Sequence, residues 1–321
     1  MNAGYVARRL LQLLPSIAGI VLVAFLLLQM APGDPILALA GESGDAEYYA
    51  FMREKFGLDD SMPEQLARFA SNAIRGDLGV SYTQGRPALT IIGERLGATL
   101  LLAGSALVIS TIVGVLAGVI AARYAGGVRD AAITTVTLSL YAAPVFWIGQ
   151  LALLFFALRL GWFPTNGMTS PSPPDTAFGQ FLDLLHHLAL PALVLASQQV
   201  ASVSRLTRIG LVEELSTDHV RTARAKGLRE STVVWRHALR RALGPVFTVI
   251  GARIGYLFSG AVVVEIVFGW PGIGRLMLSA VQTRDGPILL GIFLLVSTAV
   301  VVANLITDLA YGTVDPRIRY R

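Results

Sequence analysis

Cysteine is absent from this 321-residue chain. That absence excludes disulfides, thiolate catalysis, iron–sulfur clusters and Cys-ligated zinc. Lysine is almost absent: Lys55 and Lys226 stand alone among 26 basic residues. Neither falls in a G-x-x-x-x-G-K-[ST] loop, in which backbone amides and a lysine ammonium surround the phosphates. Trp270–Gly274 (WPGIG) spaces its glycines wrongly for a dinucleotide loop. The chain therefore carries no motif for hydrolysing ATP by itself. Histidine is limited to His186, His187, His219 and His237, with no HExxH or similar ligand spacing. No GxSxG elbow occurs either.

Apolar sequence is abundant. Hydrophobic residues make up 54% of the chain and charged residues 15%, with a mean hydropathy of +0.62. This composition places it among all-α polytopic membrane proteins. Low-polarity stretches predict six transmembrane helices near 9–30, 97–122, 132–158, 187–208, 246–268 and 287–311. Arg8 and Arg9 before the apolar run Leu10–Met30 superficially resemble a signal peptide. That run exceeds the usual ~7–15-residue core and no A-x-A site closes it, so it reads as an uncleaved first span. Pro144 and Pro191 fall inside spans and are candidate kinks, tolerable where neighbouring helices satisfy the freed carbonyls.

Charge sets the expected orientation. With the N-terminus inside, the inner segments hold Arg8, Arg9, Arg123, Arg129, nine basic residues from Arg205 to Arg241, and Arg317, Arg319 and Arg321. The outer segments hold eight basic residues, six of them in the long 31–96 segment, where the positive-inside rule is weakest. The 160–186 loop has no Lys or Arg. Both termini are expected in the cytoplasm, and the net charge of +5 needs no nucleic-acid partner. The expected organisation is an N-terminal helix at 1–30, an extracytoplasmic segment at 31–96, a membrane domain at 97–311 and a cytoplasmic tail at 312–321. In the outer segment, PEQLARFASNAI puts Leu66, Phe69, Ala70, Ala73 and Ile74 on one helical face. That face suits packing on the membrane or the other spans, or docking a soluble partner.

A membrane enzyme would need a nucleophile with a base, paired carboxylates or metal ligands at depth. Ionisable residues within the spans are few: Arg253, Glu265 and Asp308, near span ends. A stand-alone secondary transporter or channel is the main rival reading, yet the midplane charges and broken helices it would use are sparse. A pore-forming subunit powered from elsewhere fits better. Ser139, Tyr141 and Gln198 are candidates for lining the pathway. Glu265, just before a Trp-Pro-Gly turn, reads either as a capping carboxylate or as part of an outer gate. Gly114 and Gly118 form a GxxxG, and Gly251 and Gly255 continue small residues at every fourth position to Ser259; both patterns suit close helix packing. Trp147, Trp162 and Trp270 read as structural or interfacial residues rather than ligands.

The longest cytoplasmic segment, 209–245, is basic and helix-forming on either side of Gly227. A basic loop held to anionic lipid is the simple reading. Its small residues, Ala223 and Ala225 before Gly227, point instead to a slim helical tip that enters a groove of another protein.

At this segment the chain resembles the ABC importer permeases of the dipeptide/oligopeptide/nickel family. The matching loop residues are Arg221, Thr222, Ala223, Arg224, Ala225, Lys226, Gly227 and Leu228, then Arg236–Arg240 and Pro245. Further along the chain the same resemblance is carried by APGDP (31–35), FGLDD (56–60), GDLGVS (76–81), GAVVVEIVFGWPGIGRL (260–276) and DPRIRY (315–320). Arg221 stands where the general motif has Glu, His219 where the family often has Tyr, and Arg241 where it often has Asn.

The resemblance implies a type I importer permease fold with an extracytoplasmic insertion after helix 1, in the bacterial inner membrane. It implies the first of two homologous permeases, working with two ATPase domains and an extracytoplasmic substrate-binding protein. ATP and magnesium would be bound by the ATPases, leaving this chain without a cofactor. Residues 222–228 would form the coupling helix, and peptides would be the first expected cargo, with nickel or glutathione as alternatives.

Overall fold

A computed structural model describes residues 3–30, 47–51, 59–246 and 254–314. Helices dominate, and one isolated bridge joins Val80 to Pro87. Of the expected motifs, APGDP, DPRIRY, most of FGLDD, Gly251 and Arg253 lie outside the described residues. Among the described residues, three helices are long and apolar enough to cross a membrane: Ala88–Arg123, Ala177–Leu215 and Gly286–Leu305. A bent pair, Val128–Ala142 with Val145–Arg159, makes a fourth if counted as one span. The residues fall into two compact units.

The first unit joins residues up to Leu96 with Leu276–Leu305. Helix α1 (Ala3–Met30) is apolar along most of its length, and α2 (Met62–Ile74) is amphipathic. Ser61 starts α2 with a cap in which its backbone N–H and hydroxyl both donate to the Glu64 carboxylate, at 3.0 and 2.8 Å. Ile20, Val21 and Ala24 of α1 pack with Phe69 and Ala73 of α2 and with Leu290 and Leu294. Ile74 departs from the expected face and is 85% exposed; it ends the helix, where the turn at Arg75–Gly76 carries the chain away.

Asp285 organises the rest of this unit. It is buried and accepts hydrogen bonds from Ser81 Oγ (2.5 Å), Thr83 Oγ1 (2.9 Å) and the Thr83 N–H (3.3 Å). The GDLGVS segment is thereby fastened to the start of the C-terminal helix (Gly286–Val314), where Asp285 sits in the N-cap position.

The second unit contains Gly97–Arg275. Helix α3 (Ala88–Arg123) crosses α4 (Ala177–Leu215) at the predicted glycines. A Cβ on Gly114 would fall 2.6 Å from Val203 Cβ, and one on Gly118 would fall 2.6 Å from Thr207 Cβ and the Ser204 carbonyl. Only hydrogen fits at either position.

The third expected span is broken rather than gently kinked. Helix α5 (Val128–Ala142) ends before Pro144, and α6 (Val145–Ala152) continues as a π-helical segment, Leu153–Arg159, bent by 103° from α5. Proline lacks the N–H that would serve the Leu140 carbonyl. Gln198 of α4 serves it instead, with Nε2 donating to Leu140 O (3.1 Å) and Ala143 O (3.4 Å). Helix α4 itself runs unbroken through Pro191. Asp130 of α5 and Arg208 of α4 form a bidentate pair at 2.6 Å on each arm, and Asp130 Oδ2 also accepts from the Gly126 N–H (2.8 Å).

Candidate functional site

The 218–245 loop is built as a hairpin with one apolar face. Helix α7 (Asp218–Ala225) is followed by a helical run comprising Glu230–Thr232, a π-helical Val233–Ala238 and Leu239–Ala242. Val220 and Ala223 of α7 are buried with Val233, Val234, Ala238, Leu239 and Ala242. The same cluster takes in Val119 and Ala122 of α3 and Leu211 of α4, so the hairpin is seated on the ends of two long helices.

The tip is fixed by backbone geometry. The Leu228 N–H donates to Ala223 O (3.4 Å) and the Gly227 N–H to Arg224 O (2.9 Å), the paired bonds of a Schellman C-cap. That cap requires a left-handed residue, and Gly227 supplies it at φ +75°. Arg224 then staples the two arms: Nε and Nη2 meet the two Glu230 oxygens at 3.1 and 2.7 Å, and Nη1 reaches Leu215 O at 3.4 Å. The hydrogen-bonded Arg224 guanidinium holds the Glu230 carboxyl below its ordinary value.

The eight residues singled out for coupling thus divide by facing. Arg221, Thr222, Arg224, Ala225, Lys226, Gly227 and Leu228 are exposed, whereas Ala223 is buried against its own chain. Leu228 leaves 40% of its surface exposed at the tip. Below it, His219 Nδ1 lies 2.9 Å from Thr217 Oγ1 and 3.4 Å from Arg241 Nη1, with Nε2 3.4 Å from Glu214. His219 and Arg241, two of the three positions at which the sequence reading marked a departure from the loop pattern, are therefore neighbours.

Glu265 lies at the end of helix α8 (Ile254–Val267), where the chain turns back into α9 (Ile273–Gln282). It is fully buried. Its carboxyl accepts from Thr99 Oγ1 (2.6 Å), from the Gly274 N–H (2.6 Å) and from the Arg275 N–H (3.4 Å). The Ile273 N–H donates in turn to Thr99 Oγ1 at 2.8 Å. Three amides at the start of α9 are thus satisfied by two side chains from elsewhere. A Cβ on Gly272 would run into this carboxyl, and one on Gly274 would fall 2.4 Å from Val262 Cα. Trp270 is also fully buried, with Nε1 donating to Ala98 O (2.8 Å).

Of the pathway candidates, Ser139 and Tyr141 are exposed on α5, and Gln198 is the half-buried clamp at the Pro144 break. Trp147 and Trp162 are exposed. Gly255 lies on α8. Thr99, Asp130, Arg208 and Asp285 were not singled out by sequence reasoning. Only Asp285 left a local sign, an Asp before Gly-Pro at a helix start. Among the described residues, no group of three or more His, Cys, Asp or Glu is arranged to hold a metal ion.

These features define a multi-helix membrane subunit that carries an ordered, partly exposed helical hairpin. Residues 114–320 match the binding-protein-dependent transport system inner membrane component family, and residues 3–103 match the N-terminal region of such membrane components. The chain belongs to this family of ABC transporter permeases. It is 39% identical to the di/tripeptide transport system permease protein DppB of Pseudomonas aeruginosa, with 99% of each chain covered. It is 38% identical to the dipeptide transport system permease protein DppB of Escherichia coli and 38% identical to the E. coli glutathione transport system permease protein GsiC, again over 99% of each chain.

Proposed function

We propose that this chain is one of two permeases of an ATP-driven importer for di- and tripeptides, and that residues 221–228 are where partner ATPases act on it. The carrying observation is the hairpin tip. Its inner face is anchored on α3 and α4 through Val220, Ala223, Val233 and Val234, while Ala225, Gly227 and Leu228 face outward. A small, rigid, partly apolar projection suits a groove, and its anchor suits the transfer of displacement to the long helices. Two relatives of near-equal length named for dipeptide or di/tripeptide transport support the cargo. The reading includes six spans with both termini in the cytoplasm, an extracytoplasmic segment at 31–96 and an extracytoplasmic binding protein that delivers the peptide. ATP and magnesium belong to the ATPases.

The chain's lack of cysteine gives a clean test. Ala225→Cys is paired with single-cysteine variants lining the ATPase groove, and oxidation should give a crosslinked heterodimer whose yield changes on adding ATP. Failure at every position from 222 to 228 would reject the coupling assignment. Cargo is tested separately, by uptake of labelled dipeptide, tripeptide and glutathione into vesicles containing the full importer. Glutathione uptake without dipeptide uptake would reassign the substrate and leave the coupling reading intact.

A further inference from the structure

Within the second unit, α3, α4 and α5 leave a groove of about 450 Å³ that includes no residue of the hairpin or of the Glu265 turn. Val113 and Ala117 of α3, Val136 and Leu140 of α5, and Leu193 and Val200 of α4 line it. Its two hydroxyl protons are used within their own helices: Thr137 Oγ1 donates to Ile133 O (2.9 Å) and Ser197 Oγ to Val194 O (2.7 Å). Val113, Val136 and Leu193 are 44%, 59% and 48% exposed, so the groove is open along one side. On α3 alone the lining runs from Ile109 to Ala117, which is about 12 Å of helix. The shape is a slot with no donor to offer a polar ligand.

One end of the slot is basic. Ala132 lines that end of α5, and Arg129 lies one helical turn before it. Arg123 closes α3 on the same side, six residues past Ala117. Asp130 does not neutralise Arg129, because Arg208 and the Gly126 N–H engage both carboxylate oxygens. The Arg129 guanidinium rests on the Tyr124 ring, 4.3 Å from its centroid, and both arginines are exposed. Glu230, which feels the charge of Arg123, is already stapled by Arg224.

An apolar slot on membrane-spanning helices with two cations at one mouth is complementary to an anionic lipid. The acyl chain needs no hydrogen bonds along the slot, and the phosphate needs the cations. We propose that the groove between α3, α4 and α5 holds one acyl chain of an anionic phospholipid, with its phosphate bound by Arg129 and supported by Arg123. This goes beyond the transport reading and rests only on the chain being a multi-pass membrane protein.

The test uses the assembled importer in nanodiscs. The discs contain phosphatidylglycerol or phosphatidylcholine bearing a diazirine in one acyl chain. After irradiation, labelled peptides are mapped by mass spectrometry. Phosphatidylglycerol should label peptides containing Val113, Val136 and Leu193 about five-fold more than phosphatidylcholine. Arg129→Gln should abolish that preference, Arg129→Lys should retain most of it, and Val136→Phe should lower groove labelling by both lipids. Equal labelling by the two lipids overturns the proposal, as does a preference that survives replacement of both arginines. Labelling that skips the groove, as when a neighbouring subunit covers it, overturns it equally.

Discussion

Thr99 and Glu265, 166 residues apart in sequence, share a 2.6 Å hydrogen bond that closes the start of α9. The threonine hydroxyl donates to the carboxyl and accepts from the Ile273 amide, while the carboxyl takes the next two amides. Thr99→Val leaves one buried donor and one buried acceptor short of a partner, at a cost of about 1–3 kcal/mol each. The thermal midpoint of the purified complex should fall accordingly. Combining Thr99→Val with Glu265→Gln should cost less than the sum of the two, because the pair forms one network. Gly272→Ala should be more damaging than either, since its methyl group overlaps the carboxyl. Full additivity in the double mutant would show that the network is not cooperative.

Ala223 and Ala225 differ by two positions and should fail differently. Ala223 is buried against Val233 and Leu211, so Ala223→Leu overpacks the hairpin, by about 1–3 kcal/mol. Ala225→Leu enlarges only the exposed face. The first variant should lower thermal stability. The second should leave stability unchanged and reduce ATP-driven uptake at least ten-fold. Equal stability losses from both would count against the facing assigned to the helix.

The Pro144 break and Gln198 should be coupled. Gln198→Leu strips the Leu140 and Ala143 carbonyls of their donor and should destabilise the chain by about 1–3 kcal/mol. Pro144→Ala restores an amide able to reach Leu140 O. In the Pro144→Ala background, Gln198→Leu should therefore cost less. Chemical denaturation of the four variants decides it.

The Arg224–Glu230 staple should depend on pH in one direction only. The folded carboxyl is held below its ordinary value of 4.5 by the guanidinium. Its contribution is fully present above the unfolded value and is lost as pH falls through the folded one. Between pH 6 and 8 the staple should not change. The difference in thermal midpoint between the native complex and Glu230→Gln should be flat there and shrink only in acid, where the native carboxyl is itself neutral. A marked change in that difference near pH 7 would assign control to another group.

Much of the architecture was legible because lipid imposes strong patterns. Long apolar runs marked Ala88–Arg123, Ala177–Leu215 and the C-terminal helix, and the GxxxG spacing marked the α3–α4 crossing. The hairpin was legible from its order of small residues, glycine and returning apolar residues. Pro144 announced a distortion, but its size was hidden. Whether proline bends or breaks a helix depends on who serves the orphaned carbonyl, and Gln198 is 58 residues from Leu140. The Asp130–Arg208 and Ser81–Asp285 pairs, separated by 78 and 204 residues, left even less trace. Polar pairs made by tertiary packing have no period, so a single sequence does not announce them.

Helix α4 spans 39 residues without a break, which makes a rod about 58 Å long. That is roughly twice the hydrocarbon thickness of a bilayer. Near one end, Asp183 holds the 160–176 loop through the Ser170 N–H (2.8 Å) and hydroxyl (2.6 Å). At the other, Leu215 receives Arg224 and Leu211 sits under the hairpin. A stiff rod has little slack: under the proposed coupling, a push at its hairpin end would arrive at the far loop as tilt or translation instead of being absorbed on the way. In mechanical terms the contact that Gly114 and Gly118 let α3 make with it would then be the fulcrum, and its place along the rod would set the lever ratio.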